Sequence, residues 1–295
     1  MKRTPSMRQL IHEAGERLAE KGVESPELNA RLLLAHVLGV MEWKLSVYRS
    51  PVTSDQVSRF QALVDRRAQR IPLQHLVGSV GFYGLDLMVS PDALIPRPET
   101  EILVETVLEE IKKARELDRP LRILDMATGT GCIALALANE VPSAEVWGVD
   151  VSESALKLAQ ENARHCGLDQ RVKFVHSDLW SAFEMDSIKW DVIVSNPPYI
   201  PTEEIPTLEP EVRDHDPLLA LDGGDDGLDF YYKIASESGA WLHSGGFICL
   251  ECGKDQASSI EILFKSASWF ADRVVRDYNK IRRILVFRRE EHSRP

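Results

Sequence analysis

Four consecutive residues, Asn196-Pro197-Pro198-Tyr199, combine types that suit the binding of a planar amide or amine. They follow the apolar run 190–195, which is typical of a buried strand. Asn196 offers a side-chain carbonyl, Pro197 keeps a backbone carbonyl, and the prolines hold the chain extended. Tyr199 can lie against a flat group. Two acceptors and one ring can hold a planar –NH2 group by both hydrogens, although a plain proline-rich exit from a strand would use the same residues.

The elements that must position these residues alternate between strand and helix from residue 97 onward, which predicts a mostly parallel sheet with helices on both faces. A pair of strands without an intervening helix closes the chain and implies one antiparallel strand. The predicted strands are Arg122–Met126, Glu145–Asp150, Val172–His176, Asp191–Ser195, Phe247–Glu251, Arg273–Tyr278 and Arg283–Arg288. The predicted helices are Thr100–Glu116, Cys132–Glu140, Ser152–His165, Phe230–His243 and Asp255–Ser266.

The first part of the chain has a different texture. Residues 1–73 contain no convincing strand, and apolar residues at helical spacing predict a bundle of about four helices, one of which ends at Gly39. Residues 74–96 mix glycines with aromatic and aliphatic residues and predict a β-hairpin that joins two domains. We therefore expect a helical domain at 1–73, a hairpin linker at 74–96 and an α/β domain at 97–295.

Composition excludes several classes of protein. The chain has 295 residues, 44% of them hydrophobic and 27% charged, which is ordinary for a soluble globular protein. The net charge of −11 argues against a protein that coats nucleic acid. No apolar stretch is long enough for a membrane span, and the N-terminus lacks the apolar core of a signal peptide. We expect a cytoplasmic protein that needs no membrane.

Two segments invite a metal interpretation, which the spacing does not support. Cys249 and Cys252 spell C-x-x-C, but they fall on a predicted buried strand, and no second pair of ligands has the required spacing. The acidic loop 222–229 could suggest a calcium site, but Gly224 and Lys233 occupy the third and twelfth positions counted from Asp222, where a calcium loop needs ligands. We predict no metal site.

A second group of residues predicts a nucleotide site. The first predicted strand ends in the turn Asp125–Gly131, whose small residues let a ligand approach the backbone. Asp150 ends the next strand about twenty residues later, where a carboxylate can accept both hydroxyls of a ribose. After the third strand, Asp178 and Leu179 can border an adenine ring. All three lie at carboxyl ends of adjacent strands, which favours one shared site.

These motifs resemble those of class I methyltransferases, and four further stretches sharpen the resemblance to the release factor glutamine N5-methyltransferase family (PrmC/HemK). The stretches are 94–101, 195–200, 220–228 and 251–253, and the similarity covers nearly the whole chain. The resemblance implies a doubly wound, mostly parallel seven-stranded sheet with a small N-terminal helical bundle and a hairpin linker. One departure stands out: Ala127 occupies a position where the family usually has Gly, which costs about 1 kcal/mol if φ is positive there.

The resemblance also implies an activity, a cofactor and a partner. The family methylates the Gln of the Gly-Gly-Gln motif of peptide chain release factors, with S-adenosylmethionine as the methyl donor and no required contact with nucleic acid. The resemblance assigns catalysis to Asn196, Pro197 and Tyr199, and it assigns substrate binding to the same residues together with Pro198. It assigns cofactor binding to Ala127, Thr128, Gly129, Thr130, Gly131, Asp150, Asp178, Leu179 and Asn196.

Three alternatives remain at this point. An adenine N6 or cytosine N4 DNA methyltransferase can use the same four residues on a base amine, but it needs a basic surface that this acidic chain lacks. A ribosomal-protein glutamine methyltransferase is a closer rival, although residues 97–101 resemble the release factor enzymes more. A non-catalytic binding module with this fold would have no need of Asn196 or Asp150.

Overall fold

The computed structural model describes residues 6–113, 119–184 and 188–289. They form two compact units. The helical unit comprises the chain up to Ser79 together with the distant segment Glu209–His215. The sheet unit comprises Val80–Leu208 and the chain from Asp216 onward. The helical unit is therefore discontinuous in sequence, which the order of motifs along the chain does not reveal.

The helical unit is built on a core of leucines and one phenylalanine. Its first four helices are α1 (Met7–Glu20), α2 (Pro26–Leu38), α3 (Ser54–Arg67) and α4 (Leu73–Val77), and a 3-10 helix spans Glu42–Val47. α1 and α3 each begin with a capping box. α2 ends at Gly39, which has φ 65°, and this end agrees with the prediction from the sequence. The fully buried side chains of the core include Leu18, Leu33, Leu34 and Phe60.

The β-hairpin consists of β1 (Ser79–Phe82) and β2 (Leu85–Met88). Tyr83 and Gly84 make the turn with φ of 46° and 80°, the left-handed conformation that two-residue hairpins require. The hairpin side chains Phe82 and Leu87 are buried in the core of the sheet unit. The strands thus occupy the middle of the predicted range 74–96, whose first residues are helical.

The sheet has seven strands in the order β5-β4-β3-β6-β7-β9-β8. The strands from β5 through β7 pair in parallel, whereas β9 pairs antiparallel with both of its neighbours, so it is the one antiparallel strand that the sequence predicts. The strand bounds are β3 (Arg122–Met126), β4 (Glu145–Asp150), β5 (Val172–His176), β6 (Trp190–Ser195), β7 (Leu242–Glu251), β8 (Trp269–Arg276) and β9 (Arg282–Arg289).

The helices of the second half are α5 (Pro98–Lys113), α6 (Cys132–Glu140), α7 (Glu153–His165), α8 (Pro210–Arg213), α9 (Asp229–Glu237) and α10 (Ala257–Ser266), of which α8 belongs to the helical unit. One prediction is wrong at its end. The helix predicted for Phe230–His243 stops at Glu237, a 3-10 turn follows at Ser238–Ala240, and β7 begins at Leu242. The last three residues of the predicted helix Thr100–Glu116 lie outside the described residues.

The strand order places the functional edge of the sheet. The chain runs outward from β3 to β4 and β5 on one side and returns to β6 on the other, so a crevice opens beyond the carboxyl ends of β3, β4 and β6. Ligands of doubly wound sheets bind at such a switch point. Among the residues described, no helix is long and apolar enough to cross a membrane.

Candidate active site

A pocket opens at this switch point, with an empty volume of about 1010 Å³ that includes its open mouth. Loops that follow β3, β4, β5 and β6 all contribute to its wall. The sequence-predicted residues that line it are Ala127, Thr128, Gly129, Thr130, Asp150, Asp178, Leu179, Asn196 and Pro198. Gly131, Pro197 and Tyr199 do not line it.

The loop after β3 is held from below by a buried carboxylate. Asp125 is fully buried, and its Oδ2 accepts hydrogen bonds from the Thr128 hydroxyl at 2.6 Å and the Ala134 N–H at 3.1 Å. Burial raises the pKa of Asp125 to about 7, although both hydrogen bonds favour the ionised form. The sequence pattern indicates no separate role for Asp125; an acid that interrupts an apolar strand just before a glycine-rich turn is the available signal.

Ala127 has φ 55°, in the left-handed region. Gly129 and Gly131 share this region with φ of 54° and 81°. The left-handed conformation brings the Cβ atom close to the backbone in every residue except glycine. The family's usual glycine therefore suits this position, and Ala127 carries backbone strain at the wall of the pocket.

Asp150 connects two neighbouring loops. Its Oδ2 accepts the Gly129 N–H and its Oδ1 accepts the Ser152 N–H, each at 2.9 Å. Burial raises the pKa of Asp150, against the effect of these hydrogen bonds. A carboxylate oxygen can accept more than one hydrogen bond, so the side chain is still able to accept from a diol in the pocket.

Asp178 and Leu179 form the wall after β5. Leu179 is buried at 8% exposure and has φ 50°, a strained conformation for a leucine. The Ser177 hydroxyl stabilises this turn by donating to the Leu179 carbonyl at 2.8 Å. Asp178 is exposed at the rim. An apolar side chain beside a carboxylate at this position suits the face and edge of a purine.

Asn196 lies where β6 ends, next to β3. Its Nδ2 donates to the Thr100 hydroxyl oxygen at 3.2 Å. Its Oδ1 is buried and has no hydrogen-bond partner among the described residues. A buried amide oxygen without a donor is unfavourable in a folded protein, so this atom is available to accept a hydrogen bond from a ligand group.

Tyr199 lies behind the pocket and is held by the acidic loop 222–229. A Cβ at Gly223 would lie 2.8 Å from the Tyr199 Cα, and one at Gly227 only 2.4 Å from its carbonyl oxygen. That carbonyl also accepts a hydrogen bond from Gln256 at 2.8 Å. The glycines thus let the loop close around Tyr199. Burial raises the pKa of the Tyr199 phenol to about 12, so the ring is neutral at physiological pH.

Arg97 and Asp216 are site residues without an individual prediction. Arg97 lines the pocket and donates to Asp216 Oδ2 at 2.6 Å. The Asp216 side chain is buried, and burial raises its pKa to about 6 against the influence of Arg97. Arg97 is the one cationic side chain among the residues that line the pocket, whereas three are acidic: Asp92, Asp150 and Asp178. This excess of carboxylates favours a ligand with positive charge.

Two arginines of the basic cluster at 66–70, Arg67 and Arg70, pair with a glutamate of the helical unit instead of forming a free basic surface. Arg67 is 5% exposed and donates to Glu211 at 2.8 Å. Arg70 donates to both oxygens of Glu211, at 2.7 Å and 2.5 Å. These pairs lie inside the helical unit and hold the segment Glu209–His215 in it.

The C-x-x-C pair does not form a metal site in the structure. Cys249 and Cys252 are buried, and burial raises the pKa of both thiols. In the part of the chain that the structure describes, no group of three or more potential ligands converges.

The class I methyltransferase fold is defined by three features together: the order of the strands in the sheet, the glycine-rich loop after β3, and the carboxylate of Asp150 at the end of β4. A crystal structure of a methyltransferase from Pyrococcus furiosus has the same fold, with a TM-score of 0.51, 20% sequence identity and coverage of 69% of this chain and 88% of that one. The residues present fit S-adenosylmethionine, the cofactor of this class: Asp150 suits a ribose, the loop allows close approach, and the acidic lining suits a sulfonium.

Sequence comparisons identify the family. Residues 9–78 match the PrmC N-terminal domain, and residues 98–207 match the methyltransferase small domain. The release factor glutamine methyltransferase of Agrobacterium fabrum is 43% identical over 94% of this chain and 95% of its own length. That of Moorella thermoacetica is 40% identical over 97% of this chain and 100% of its own length. The chain belongs to the release factor glutamine methyltransferase family.

Proposed function

We propose that this protein transfers a methyl group from S-adenosylmethionine to the side-chain amide nitrogen (N5) of the Gln in the Gly-Gly-Gln motif of peptide chain release factors. The observation that carries the proposal is the buried, unpartnered Oδ1 of Asn196 at a pocket suited to S-adenosylmethionine. The relatives named for this activity support the choice of substrate. Since release factors act on ribosomes, the protein would work in the cytoplasm.

The cofactor side of the site uses the sequence-predicted residues. Asp150 would accept hydrogen bonds from the ribose, the backbone of 127–131 would allow close approach of the ligand, and Asp178 with Leu179 would border the adenine. The cofactor supplies an electrophilic methyl group on a positively charged sulfur. The acidic residues of the wall stabilise that positive charge, and the apolar side chains exclude water.

The substrate side holds the glutamine amide. Asn196 Oδ1 accepts one of its two hydrogens, which orients the nitrogen lone pair toward the donor. The Pro197 carbonyl is the second acceptor in this proposal, although Pro197 does not line the pocket in this structure. An amide nitrogen is a poor nucleophile, so alignment is the main catalytic contribution. Pro198 stiffens the wall, and Tyr199 contributes by fixing the loop, since its ring lies outside the pocket lining. The nitrogen becomes acidic once it carries the methyl group, so the reaction has little need of a strong base.

Labelled S-adenosylmethionine distinguishes this function from its alternatives. The purified protein is incubated separately with a release factor, with ribosomal proteins and with duplex DNA. We expect label on the release factor alone, and none on a release factor whose Gly-Gly-Gln glutamine is changed to alanine. Label on a ribosomal protein or on DNA would contradict the proposal.

We also propose that the helical unit recognises a part of the release factor outside the Gly-Gly-Gln loop. Its 3-10 helix exposes Trp43 and Val47 at 61% and 59%, next to Met41 at 66%. Exposed apolar side chains of this size are typical of protein-binding surfaces.

Trp43→Ala tests this role of the helical unit. The change should raise the KM for intact release factor about tenfold and leave that for a Gly-Gly-Gln peptide unchanged. Tyr278→Ala, which removes an aromatic ring that is 88% exposed in the sheet unit, is the matched control. Equal effects of Trp43→Ala on both substrates would contradict this role.

A further inference from the structure

Glu251 is a buried acid outside the pocket lining, and no step of the proposed methyl transfer uses it. It is the last residue of β7 and is 2% exposed. Its backbone carbonyl accepts the Tyr231 hydroxyl at 2.7 Å. Its Oε2 is buried and has no partner among the described residues. A carboxylate in this position is costly to bury, which calls for a reason to retain it.

Thr100 connects Glu251 to Asn196. It lies in the first turn of α5 and is 2% exposed. Its side chain lies close enough to the Glu251 carboxylate to favour the ionised form of that group, which lowers the pKa of Glu251 against the effect of burial. The same hydroxyl oxygen accepts the Asn196 Nδ2–H at 3.2 Å. Three buried side chains, from β7, α5 and the end of β6, thus lie in one chain with Thr100 in the middle.

The direction in which these side chains donate follows from the number of protons that Glu251 and Thr100 carry. An ionised carboxylate only accepts, so the single hydroxyl proton of Thr100 must point to Glu251. The Thr100 oxygen is then left to accept, and Asn196 must turn its –NH2 group toward it. The Asn196 carbonyl oxygen consequently faces the pocket. Because the two ends of an amide are alike in shape, an outside reference of this kind is needed to choose between them.

We propose that Glu251 is a positioning residue that acts through Thr100 to hold the Asn196 amide with its oxygen toward the substrate. The inference rests on the proposed function, because it concerns the acceptor for the glutamine –NH2 group. Protonation of Glu251 reverses the chain: the acid donates to Thr100, and Thr100 donates to Asn196. The Asn196 –NH2 group then faces the substrate –NH2 group, and two donors meet.

The surroundings of Glu251 set the pH at which this reversal occurs. Burial raises the pKa of Glu251 to about 7; the bond from Thr100 and the charges of Arg283 and Arg97 oppose the rise, and Glu99 adds to it. The titratable and charged groups that face Glu251 are Arg97 and Glu99 near the start of α5, Cys132 of α6, Tyr199 after β6, Tyr231 of α9, Cys252 after β7 and Arg283 of β9. Methylation should therefore decrease as the pH falls through about 7.

The test compares Thr100→Val, Thr100→Ser and Glu251→Gln with the wild type. Thr100→Val keeps the shape and removes the hydroxyl, so kcat for a Gly-Gly-Gln peptide should fall roughly tenfold, with the affinity for S-adenosylmethionine unchanged. The acidic limb of the pH–kcat profile near 7 should disappear in Thr100→Val and Glu251→Gln. Thr100→Ser restores the hydroxyl and should retain both rate and limb. Glu110→Gln, a change at a buried acid of α5, is the control and should retain the limb.

A second measurement is independent of catalysis. The side-chain amide NMR signals of Asn196 in the ligand-free protein, assigned by their loss in Asn196→Ala, should titrate with a midpoint near 7 in the wild type. They should not titrate in Thr100→Val. If the wild type methylates the peptide but the variants show none of these differences, the positioning role of Glu251 is overturned and the proposed function is not. An acidic limb that persists in both Thr100→Val and Glu251→Gln would also overturn that role and would point to another buried acid, such as Asp125. A wild type that titrates as expected but methylates no glutamine would overturn the proposed function instead.

Discussion

At the scale of single residues, the left-handed backbone of Ala127 has a measurable energetic cost. The structure gives this residue φ 55°. Ala127→Gly should therefore raise the free energy of unfolding by about 1 kcal/mol, because glycine adopts this conformation without strain. Urea denaturation measures the change.

The control for Ala127→Gly is the same substitution in a right-handed helix. Ala138→Gly in α6 should lower the free energy of unfolding by about 1 kcal/mol or more. A loss of stability in Ala127→Gly, like that in the control, would contradict the assignment of strain.

Asp150 gives a second prediction at this scale. Since both of its oxygens accept backbone N–H groups, Asp150→Asn places an amide –NH2 against one of these donors as well as weakening the contact with a ribose. Asp150→Asn and Asp150→Ala should each weaken S-adenosylmethionine binding by roughly tenfold to a hundredfold. Isothermal calorimetry measures the affinity, with the exposed Asp169→Asn as the control. Unchanged affinity in both Asp150 variants would mean that the ribose binds elsewhere.

At the scale of helices and strands, α8 depends on ion pairs with α3 and the residues that follow it. Burial opposes ionisation of Glu211, but hydrogen bonds from Arg70 and Arg67 outweigh it, so the pKa of Glu211 is lowered. Glu211→Gln should destabilise the helical unit by about 1–3 kcal/mol, because the buried guanidinium of Arg67 and the partly buried one of Arg70 lose their anion. Hydrogen exchange of the segment 209–215 should become faster.

Glu203→Gln provides the control, since Glu203 is exposed and has no ion pair among the described residues. It should leave both stability and exchange unchanged. Equal exchange rates in the wild type and Glu211→Gln would contradict a role of the ion pairs in holding the segment.

The elements themselves could be predicted from the sequence wherever local pattern decides them. Apolar runs bounded by turns placed β3, β4 and β5 at their observed bounds, and caps placed α6 and α7 to within one residue. The end of α9 was missed because its apolar spacing continues past Gly239, where the chain turns into β7. Local pattern extends only a few residues, so contacts between distant segments lie outside its reach.

In the candidate site too, local sequence pattern predicts some features, and tertiary packing decides the others. The loops at the strand ends were predicted because their positions follow from strand order. The sign of φ at Ala127 does not follow from the sequence, since it depends on how Asp125 holds the loop. The contact between Thr100 and Asn196 joins residues 96 positions apart, and Glu211 joins a segment more than a hundred residues from its partners. Such contacts depend on tertiary packing, which a single sequence does not encode in any short motif.

At the scale of the whole molecule, buried acids determine how stability depends on pH. Burial raises the pKa to about 7 for Asp125 and Glu251 and to about 6 for Asp216. Each folded-state pKa is above the unfolded value, so the folded protein binds more protons between pH 4 and 7. The stability that these groups contribute is present below pH 4 and is lost as the pH rises through 6 to 7. The acids with lowered pKa, among them Glu110 and Glu211, have the opposite effect on stability. The stability that they contribute is lost only as the pH falls below about 4.5.

The free energy of unfolding should therefore decrease by about 1 kcal/mol or more per pH unit between pH 5 and 7. Urea denaturation followed by tryptophan fluorescence reports mainly on the sheet unit, which contains five of the six tryptophans. Asp125→Asn cannot ionise and should show a smaller slope. Stability that increases from pH 5 to 7 would contradict the burial of these acids.

Mass spectrometry of the Gly-Gly-Gln peptide tests most directly whether Asn196 presents an acceptor to a glutamine amide beside S-adenosylmethionine. After incubation of intact release factor with the wild-type protein and S-adenosylmethionine, that peptide should carry one methyl group on the glutamine side chain. Asn196→Ala should lower the rate at least about a hundredfold, with cofactor affinity changed much less, because one amide hydrogen loses its partner and the nitrogen loses its alignment. Asn139→Ala, at an exposed asparagine of α6, should match the wild type. An unmodified glutamine after incubation with the wild type, or near-normal methylation by Asn196→Ala, would contradict the account.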